Sequence, residues 1–328
     1  MANKLFRVFG YVVCGGLVGI FIVWCKDGGR DRTPLSVFGN SSGMTDINAN
    51  ESARFPLTLD GDYILNSPKL CSDIPTVKAL VVVHTAVHHF TRRHNIRSTF
   101  GSRDLFKEVR VVFLLGLVND VKIQESIQRE HIKYGDTVQG NFIDSYHNLT
   151  HKGVMGLRWI TEHCSNVKYV VKVDDDVIFD MWRFLNYFGS FSKGRSIFCN
   201  VIKNGWIFRK GKWKLDNEIF YDRKRWPWPY CPGFVVILSG DVIKPLFEAA
   251  YMTPYIWIDD VYLYGYLPFQ ARGINIQNFP KHHGCSSGKR SHECLLKNGD
   301  NCTHMAVNVP ENKYQMYWNL IKKRNKKT

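Results

Sequence analysis

Residues 169–177 read Tyr169-Val170-Val171-Lys172-Val173-Asp174-Asp175-Asp176-Val177, an apolar β-rich run that ends in three consecutive carboxylates. Successive β-branched residues without a polar face are the pattern of a strand buried on both sides. Open α/β sheets bind their ligands at the carboxyl ends of the strands, which is where the aspartates stand. Three adjacent anions repel one another unless a cation sits among them, and carboxylate oxygens suit the hard ions Mg2+ and Mn2+. Side chains alternate along extended backbone, so Asp174 and Asp176 are expected to project together. An exposed acidic turn would give the same letters in isolation. The apolar strand before them and the basic balance of the rest of the chain favour a ligand site.

Working outward, similar runs occur at Ala79–Thr85 (ALVVVHT), Val109–Gly116 (VRVVFLLG), Ile197–Ile202 (IFCNVI) and Phe234–Ser239 (FVVILS). Between and after them, Gln124–Lys133, Leu149–Cys164, Asp241–Tyr251 and Asp259–Leu267 carry helical patterning. Alternating strands and helices predict one α/β domain with a central, mostly parallel sheet, placed over residues 74–328. No internal repeat is visible.

Upstream the texture changes. Val8–Cys25 is an uncharged apolar run long enough to cross a bilayer as a helix, and it is expected to be a membrane anchor. A cleavable signal peptide is the rival, but the run exceeds the usual apolar core and no A-x-A site follows. Basic residues flank it almost equally, Lys4 and Arg7 before, Lys26, Arg30 and Arg32 after, so charge alone does not orient it. Residues 26–73 are rich in Gly, Ser, Asn and Asp without a sustained apolar period, which predicts a flexible stem.

Four N-x-S/T patterns, at Asn40, Asn50, Asn148 and Asn301, lean toward a body on the secretory side. The cysteines lean the same way. Beyond the apolar run stand Cys71, Cys164, Cys199, Cys231, Cys285, Cys294 and Cys302, scattered in a way that favours disulfides over zinc knuckles. Seven is odd, so not all pair within the chain, and the group Cys285, Cys294, Cys302 is expected to hold a local bridge.

With 328 residues, 45% of them hydrophobic, the chain can bury a large core and is not disordered. Its net charge of +15 favours anionic partners: nucleic acid, phosphorylated donors or acidic glycans. The apolar anchor, the N-x-S/T patterns and the absence of a basic recognition helix point away from nucleic acid.

A second acidic site, Trp257-Ile258-Asp259-Asp260-Val261-Tyr262, opens a predicted helix. Helix capping could account for one of the two carboxylates. As chemistry, one of them can serve as a general base, while a metal held by the first site stabilises a departing phosphate. Between the two lies Trp226-Pro227-Trp228-Pro229-Tyr230-Cys231-Pro232-Gly233, either a stacking wall for a sugar or base, or a packed loop. His282 and His283 could add an imidazole to the metal, or be surface residues.

These residues together resemble the beta-1,3-galactosyltransferase family, which includes related beta-1,3-N-acetylglucosaminyltransferases and, more distantly, the Fringe enzymes. The resemblance runs from about Lys78 to His283. Arg92-Arg93-His94-Asn95-Ile96-Arg97-Ser98-Thr99-Phe100 is similar to RR-x-x-I-R-x-T-W, and Phe113–Gly116 to F-L-L-G. Phe142–Lys152 is similar to F-x-D-S-Y-x-N-L-T-x-K, Lys172–Val177 to K-x-D-D-D-V, Tyr230–Gly233 to Y-C-x-G, and Asp259–Gly265 to E-D-V-Y-x-x-G.

The resemblance implies a GT-A fold, a Golgi enzyme with a type II single-pass anchor, an inverting mechanism, Mn2+ (or Mg2+) dependence and a UDP-sugar donor. On that pattern residues 1–7 are a cytosolic tail, 8–25 the signal anchor, 26–73 a luminal stem and 74–328 the catalytic domain. Carried over by position, Asp174 and Asp176 would bind metal, and Asp174 and Asp175 would also lie against ribose and diphosphate. Asp260, beside Asp259, would be the base, His282 or His283 would complete the metal, and Arg92, Arg93 and Arg97 would shape the donor side.

Phe100 replaces the family's Trp, Asp259 its Glu, Asp180 stands where Asn is common, and Pro232 sits inside Y-C-x-G. The expected reaction is galactosyl transfer to a glycan hydroxyl on glycoprotein or glycolipid, forming a beta-1,3 link. An N-acetylhexosamine donor and a non-catalytic glycan-binding module are the alternatives, and a homodimer is a candidate assembly.

Overall fold

The apolar runs flanking the aspartates become the strands of one sheet in the computed structural model, which describes residues 10–14, 17–21, 59–187, 194–280, 289–298 and 301–325. The chain divides into two units, Met1–Thr45 and Asp46–Thr328. In the first, β1 (Gly10–Cys14) and β2 (Leu17–Phe21) pair antiparallel, with Cys14 opposite Leu17. These ten residues were expected inside a membrane-spanning helix. The remainder of the 8–25 run lies outside the described residues, and among those described no helix is long and apolar enough to cross a membrane.

The second unit begins with a segment expected to be stem. Leu59 and Leu70 are buried, the Ile64 N–H donates to the Gln139 carbonyl at 2.8 Å, and Cys71 is bonded to Cys164. Residues 59–73 are thus part of the body, held by two apolar side chains and a disulfide that composition alone did not reveal.

An α/β progression follows: β3 (Val77–His84), α1 (Phe90–Arg97), β4 (Val109–Leu117), α2 (Val121–Tyr134), β5 (Thr137–Ile143), α3 (Leu149–His163) and β6 (Val167–Asp174). Helix α2 shows why the boundaries fall where they do. The Asp120 carboxylate accepts from the Lys122 and Ile123 N–H groups, and Gly135 closes the other end at φ 61°, a left-handed conformation that favours glycine.

After the aspartates come β7 (Val177–Phe179), α4 (Met181–Asn186), β8 (Ser196–Cys199), β9 (Val235–Ser239) and α5 (Ile243–Ala250). Next are α6 (Asp259–Val261), a π-turn over Tyr262–Tyr266, α7 (Leu267–Ala271), β10 (Asn275–Asn278), α8 (Lys289–Asn298), β11 (Ala306–Asn308) and α9 (Tyr314–Asn325).

The main sheet has seven strands in the order β10-β8-β9-β6-β3-β4-β5. β6, β3, β4 and β5 run parallel, while β9 runs antiparallel to both β6 and β8. The sheet is therefore mixed but mostly parallel, as expected. Val170, Val171 and Val173 of β6 are buried, which is what a strand covered on both faces requires.

Two connections set up the site. Helix α3 presses onto the Asp259 region because Gly153 bears no side chain; a Cβ there would overlap Leu263. The short strand β7, immediately after the aspartates, pairs with β11 from far along the chain, Val177 opposite Asn308. Asp180 then holds α9: its carboxylate accepts from Arg324 and, at 3.1 Å, from the Asn325 amide.

Disulfides Cys199–Cys231 and Cys294–Cys302 complete the set among the described residues. The second is the expected local bridge, and Cys285 lies outside the described residues. The Asn148 pattern is built into the fold: its side-chain amide donates to the Ile143 carbonyl at 2.8 Å, and the Thr150 hydroxyl, buried, donates to the Ile256 carbonyl at 2.8 Å. Asn301 is exposed.

Candidate functional site

Strand β6 delivers Lys172 and Asp174 to the same face of the sheet, two residues apart. The Lys172 ammonium, 3% exposed, lies 2.7 Å from Asp174 Oδ1 and also donates to the Gly233 carbonyl. Burial alone would favour the neutral amine, but Asp174, Tyr264, Asp260 and Asp259 surround it and push its pKa up. Lys172 is thus a buried cation shared by both acidic sites, which lie at the carboxyl edge of the central strand.

The three consecutive aspartates take separate roles. Asp174, half-exposed, keeps one oxygen on Lys172. Asp175 is buried and fully used: its Oδ2 accepts from Thr85 Oγ1 at 2.6 Å and stands 2.7 Å from His89 Nδ1, and its Oδ1 accepts from Arg92 at 2.8 Å. Burial pushes the Asp175 carboxyl up, yet the hydrogen bonds from Thr85, Arg92 and His89 outweigh it and hold it below the usual range.

Among the described residues no other side chain hydrogen-bonds or ion-pairs with the Asp176 carboxylate, which takes only its own backbone N–H, and the Asp176 carbonyl accepts from the Val309 N–H at 2.6 Å. Its pKa is raised by burial and by repulsion from Asp174 and Asp175.

Asp259 and Asp260 open α6, where the helix has no side-chain cap hydrogen bond. Both carboxyls are pushed up, Asp260 to about 8, by burial first; for Asp260 the repulsion of Asp259 comes next, and Lys172 pulls the other way. The Asp260 carboxylate also takes a backbone hydrogen bond from Gly233. Gly233 has to be glycine: a Cβ there would overlap Asp260 Oδ1 and stand 2.9 Å from Lys172 Nζ. The Cys199–Cys231 bridge fastens that loop to the end of β8.

Fitness for a cation can be judged from this charge balance. One buried ammonium faces Asp174, Asp259 and Asp260, and Asp176 adds a further carboxyl with a raised pKa. The edge carries surplus negative charge that a divalent ion would relieve, and Asp176 together with the free oxygen of Asp174 are suitable donors. His282 and His283 lie outside the described residues. The one group of three ligand atoms within 4.8 Å among those described is Cys294, Cys302 and His304, and its two sulfurs are tied up in a disulfide.

Of the three arginines expected to shape the donor side, only Arg92 stands at the site, bonded to Asp175 and 3.7 Å from Glu311. Arg93 and Arg97 are turned into the body. Arg93, fully buried, grips Glu130 through Nε and Nη2 at 2.9 and 2.7 Å, and Arg97 bridges Glu130 at 2.6 Å and Asp136 at 2.7 Å. Their spacing of four places both guanidiniums over α2 rather than over a ligand. Trp226 and Trp228 are likewise buried, Trp228 stacked on Tyr266 with ring centroids 4.1 Å apart, so this aromatic segment is a packed loop.

Several participants went unnoticed in the sequence. Thr85 and His89 hold Asp175 from the β3–α1 connection, a loop without a motif. Lys152, buried, donates to the Thr85 carbonyl at 2.7 Å and pairs with Asp144 at 2.8 Å. Both Lys152 and Lys172 stand in quoted motifs, and an isolated lysine inside an apolar run was the signal available. A cleft of about 630 Å³ also opens beside Trp257, lined by aromatic and basic side chains.

Comparison with known proteins bears on this arrangement. Residues 91–280 match the family profile described as Galactosyltransferase. The chain is 31% identical over 229 residues to beta-1,3-galactosyltransferase 1 of Homo sapiens and of Mus musculus, covering 65% of this chain and 68% of that protein. It is 26% identical over 230 residues to beta-1,3-galactosyltransferase 5 of Homo sapiens, covering 67% and 72%. A solved glycosyltransferase involved in glycosylation of the major capsid of PBCV-1 superposes with a TM-score of 0.37 at 8% identity, over 75% of this chain and 99% of that one, a likeness too loose to argue from.

Proposed function

The chain belongs to the galactosyltransferase family, and from that premise we propose that it transfers a sugar, galactose first among candidates, from a UDP-sugar to a glycan hydroxyl with inversion, forming a beta-1,3 linkage. The observation that carries the proposal is the buried Lys172 ammonium, bonded to Asp174 and raised in pKa by Asp259 and Asp260. It ties a strand-end carboxylate suited to a metal–diphosphate to a second acidic pair suited to proton removal.

In this reading Asp260 is the base. Its raised pKa brings it close to the working range, where a carboxylate accepts a proton from an attacking hydroxyl more readily than an ordinary aspartate does. Asp174 and Asp176 would hold the cation, Mn2+ or Mg2+, which supplies charge neutralisation for the departing UDP. Asp175 positions: its contacts with Thr85, His89, Arg92 and the Ala86 N–H fix the strand end and the Arg92 guanidinium, which is placed to meet a phosphate. Lys172 pairs with Asp174 and limits how far repulsion can raise Asp260. A membrane anchor at 8–25, a Golgi location and luminal catalysis belong to the same proposal.

The test uses the full chain in detergent with Mn2+ and each UDP-sugar in turn, reading UDP release with and without mixed glycan acceptors. Acceptor-stimulated release with one donor, abolished by chelation, is the expected result. Release that ignores chelator sinks the metal assignment, and a folded protein that binds glycans without releasing UDP sinks the transferase reading.

A further inference from the structure

The 630 Å³ cleft beside Trp257 has an unusual pairing of surfaces. One wall is aromatic: Trp257 lies against His147 with centroids 4.4 Å apart and against Tyr146 at 6.1 Å, and Tyr255 is anchored by its hydroxyl to the His147 carbonyl at 3.2 Å. The other wall comes from the segment between β8 and β9. There Lys212 Nζ sits 4.4 Å over the Tyr146 ring, and the Lys214 carbonyl accepts from Trp257 Nε1 at 3.1 Å.

The charges on that wall have no acidic partner among the described residues, although Lys212 also lies over the Tyr146 ring. Lys212 and Lys214 are exposed, and among the described residues no carboxylate lies within ion-pair distance of either ammonium. Asp216 also lines the cleft, but it pairs with neither lysine, so two cations face one anion. Aromatic faces offer the apolar side of a sugar ring a stacking surface, and exposed ammonium groups at the same opening, unpaired with carboxylates, select for negative charge. Trp257, on the cleft wall, stands two residues before Asp259 in the chain.

We propose that this cleft receives the acceptor saccharide and selects one bearing an anionic substituent, a carboxylate or a sulfate ester, bound by Lys212 and Lys214. The inference rests on the glycosyltransferase reading for the word acceptor, while the anion preference stands on the cleft alone.

Matched oligosaccharides with one core, in neutral, carboxylated and sulfated forms, are compared on the full chain by saturation-transfer NMR for binding and by UDP release for turnover. The anionic forms are expected to bind about tenfold tighter than the neutral form at low salt, roughly what two exposed ion pairs can supply. The gap should close at high salt. The two anionic arms show which group is preferred.

Lys212→Gln with Lys214→Gln should erase the preference, Lys212→Arg with Lys214→Arg should retain it, and UDP-sugar hydrolysis without acceptor should be unchanged in both. Equal binding of neutral and anionic forms, or a preference that survives the Gln pair, overturns the proposal. Anion-selective binding without any transfer would leave the cleft assignment standing and remove the enzymatic reading. Transfer without anion preference would do the reverse.

Discussion

Gly233 and Asp260 are in backbone-to-carboxylate contact, close enough that any side chain at Gly233 would occupy the space of Asp260 Oδ1. The glycine is therefore a part of the acidic site, and its lack of a side chain sets where the proposed base stands.

Gly233→Ala should displace Asp260 and loosen the Lys172 contact while the disulfide-fastened loop keeps its course. A displacement of about 1 Å near the reacting atoms can cost on the order of 100-fold in rate. We expect a loss of that size in transfer with a nearly unchanged melting curve. An alanine variant with full activity would show that Asp260 does not need its present position.

The two acidic sites should separate by assay. Asp260→Asn is expected to keep metal-dependent UDP binding, measured by calorimetry, and to abolish transfer. Asp176→Ala should weaken UDP binding itself, most visibly at limiting Mn2+. The opposite pattern would exchange the roles given to the two residues.

Asp260 gives a pH signature with a defined sign. Its folded pKa, about 8, lies above the ordinary 3.8, so the folded state holds this proton more tightly than the unfolded chain does. The group favours folding while protonated, and that contribution is lost as pH rises from about 4 through 8. In chelator, Asp260→Asn should therefore gain stability relative to the parent at pH 8.5 and lose that advantage at pH 5, as read by urea unfolding. Turnover, which needs the ionised form, should rise over the upper part of the same range.

Arg93 and Arg92 offer a contrast. Arg93→Ala leaves Glu130 nearly buried with one of its two cations gone, and truncating one partner of a buried pair costs roughly 3 kcal/mol or more. Denaturant midpoints should fall accordingly, with little change in the KM for donor of the protein that remains folded. Arg92→Ala, at a partly exposed side chain, should raise that KM and lower the midpoint less, because Thr85 and His89 still hold Asp175.

Much of the sheet was legible because valine-rich runs such as 169–173 have no other stable environment than a central strand. The disulfide preference and the local Cys294–Cys302 bridge were legible for the same kind of reason, since scattered cysteines have few alternatives. What resisted reading depends on distant partners. β7 and β11 are three-residue strands that exist because they pair with each other, and β5 carries Gly140 and polar positions that dilute its pattern.

The same limit applies to the site. The letters place Asp174, Asp175 and Asp176 side by side, but only the fold shows that Asp175 is consumed by Thr85, His89 and Arg92. Arg93 and Arg97 look identical to Arg92 in one dimension. Their inward turn follows from Glu130 and Asp136, which lie more than a helix away.

The pairing of β7 with β11 joins residues 127 to 131 positions apart, and the clasp of Asp180 on Arg324 joins residues 144 apart. During biosynthesis, the aspartates emerge long before the strand that backs them. Until that strand arrives the acidic loop has its charges but no support, so a ribosome that stops short of Ala306 should release a chain with every quoted motif and no working site. Screening transcripts or expression clones of this protein by motif alone would count such products as competent, whereas a check for residues 306 to 325 would reject them.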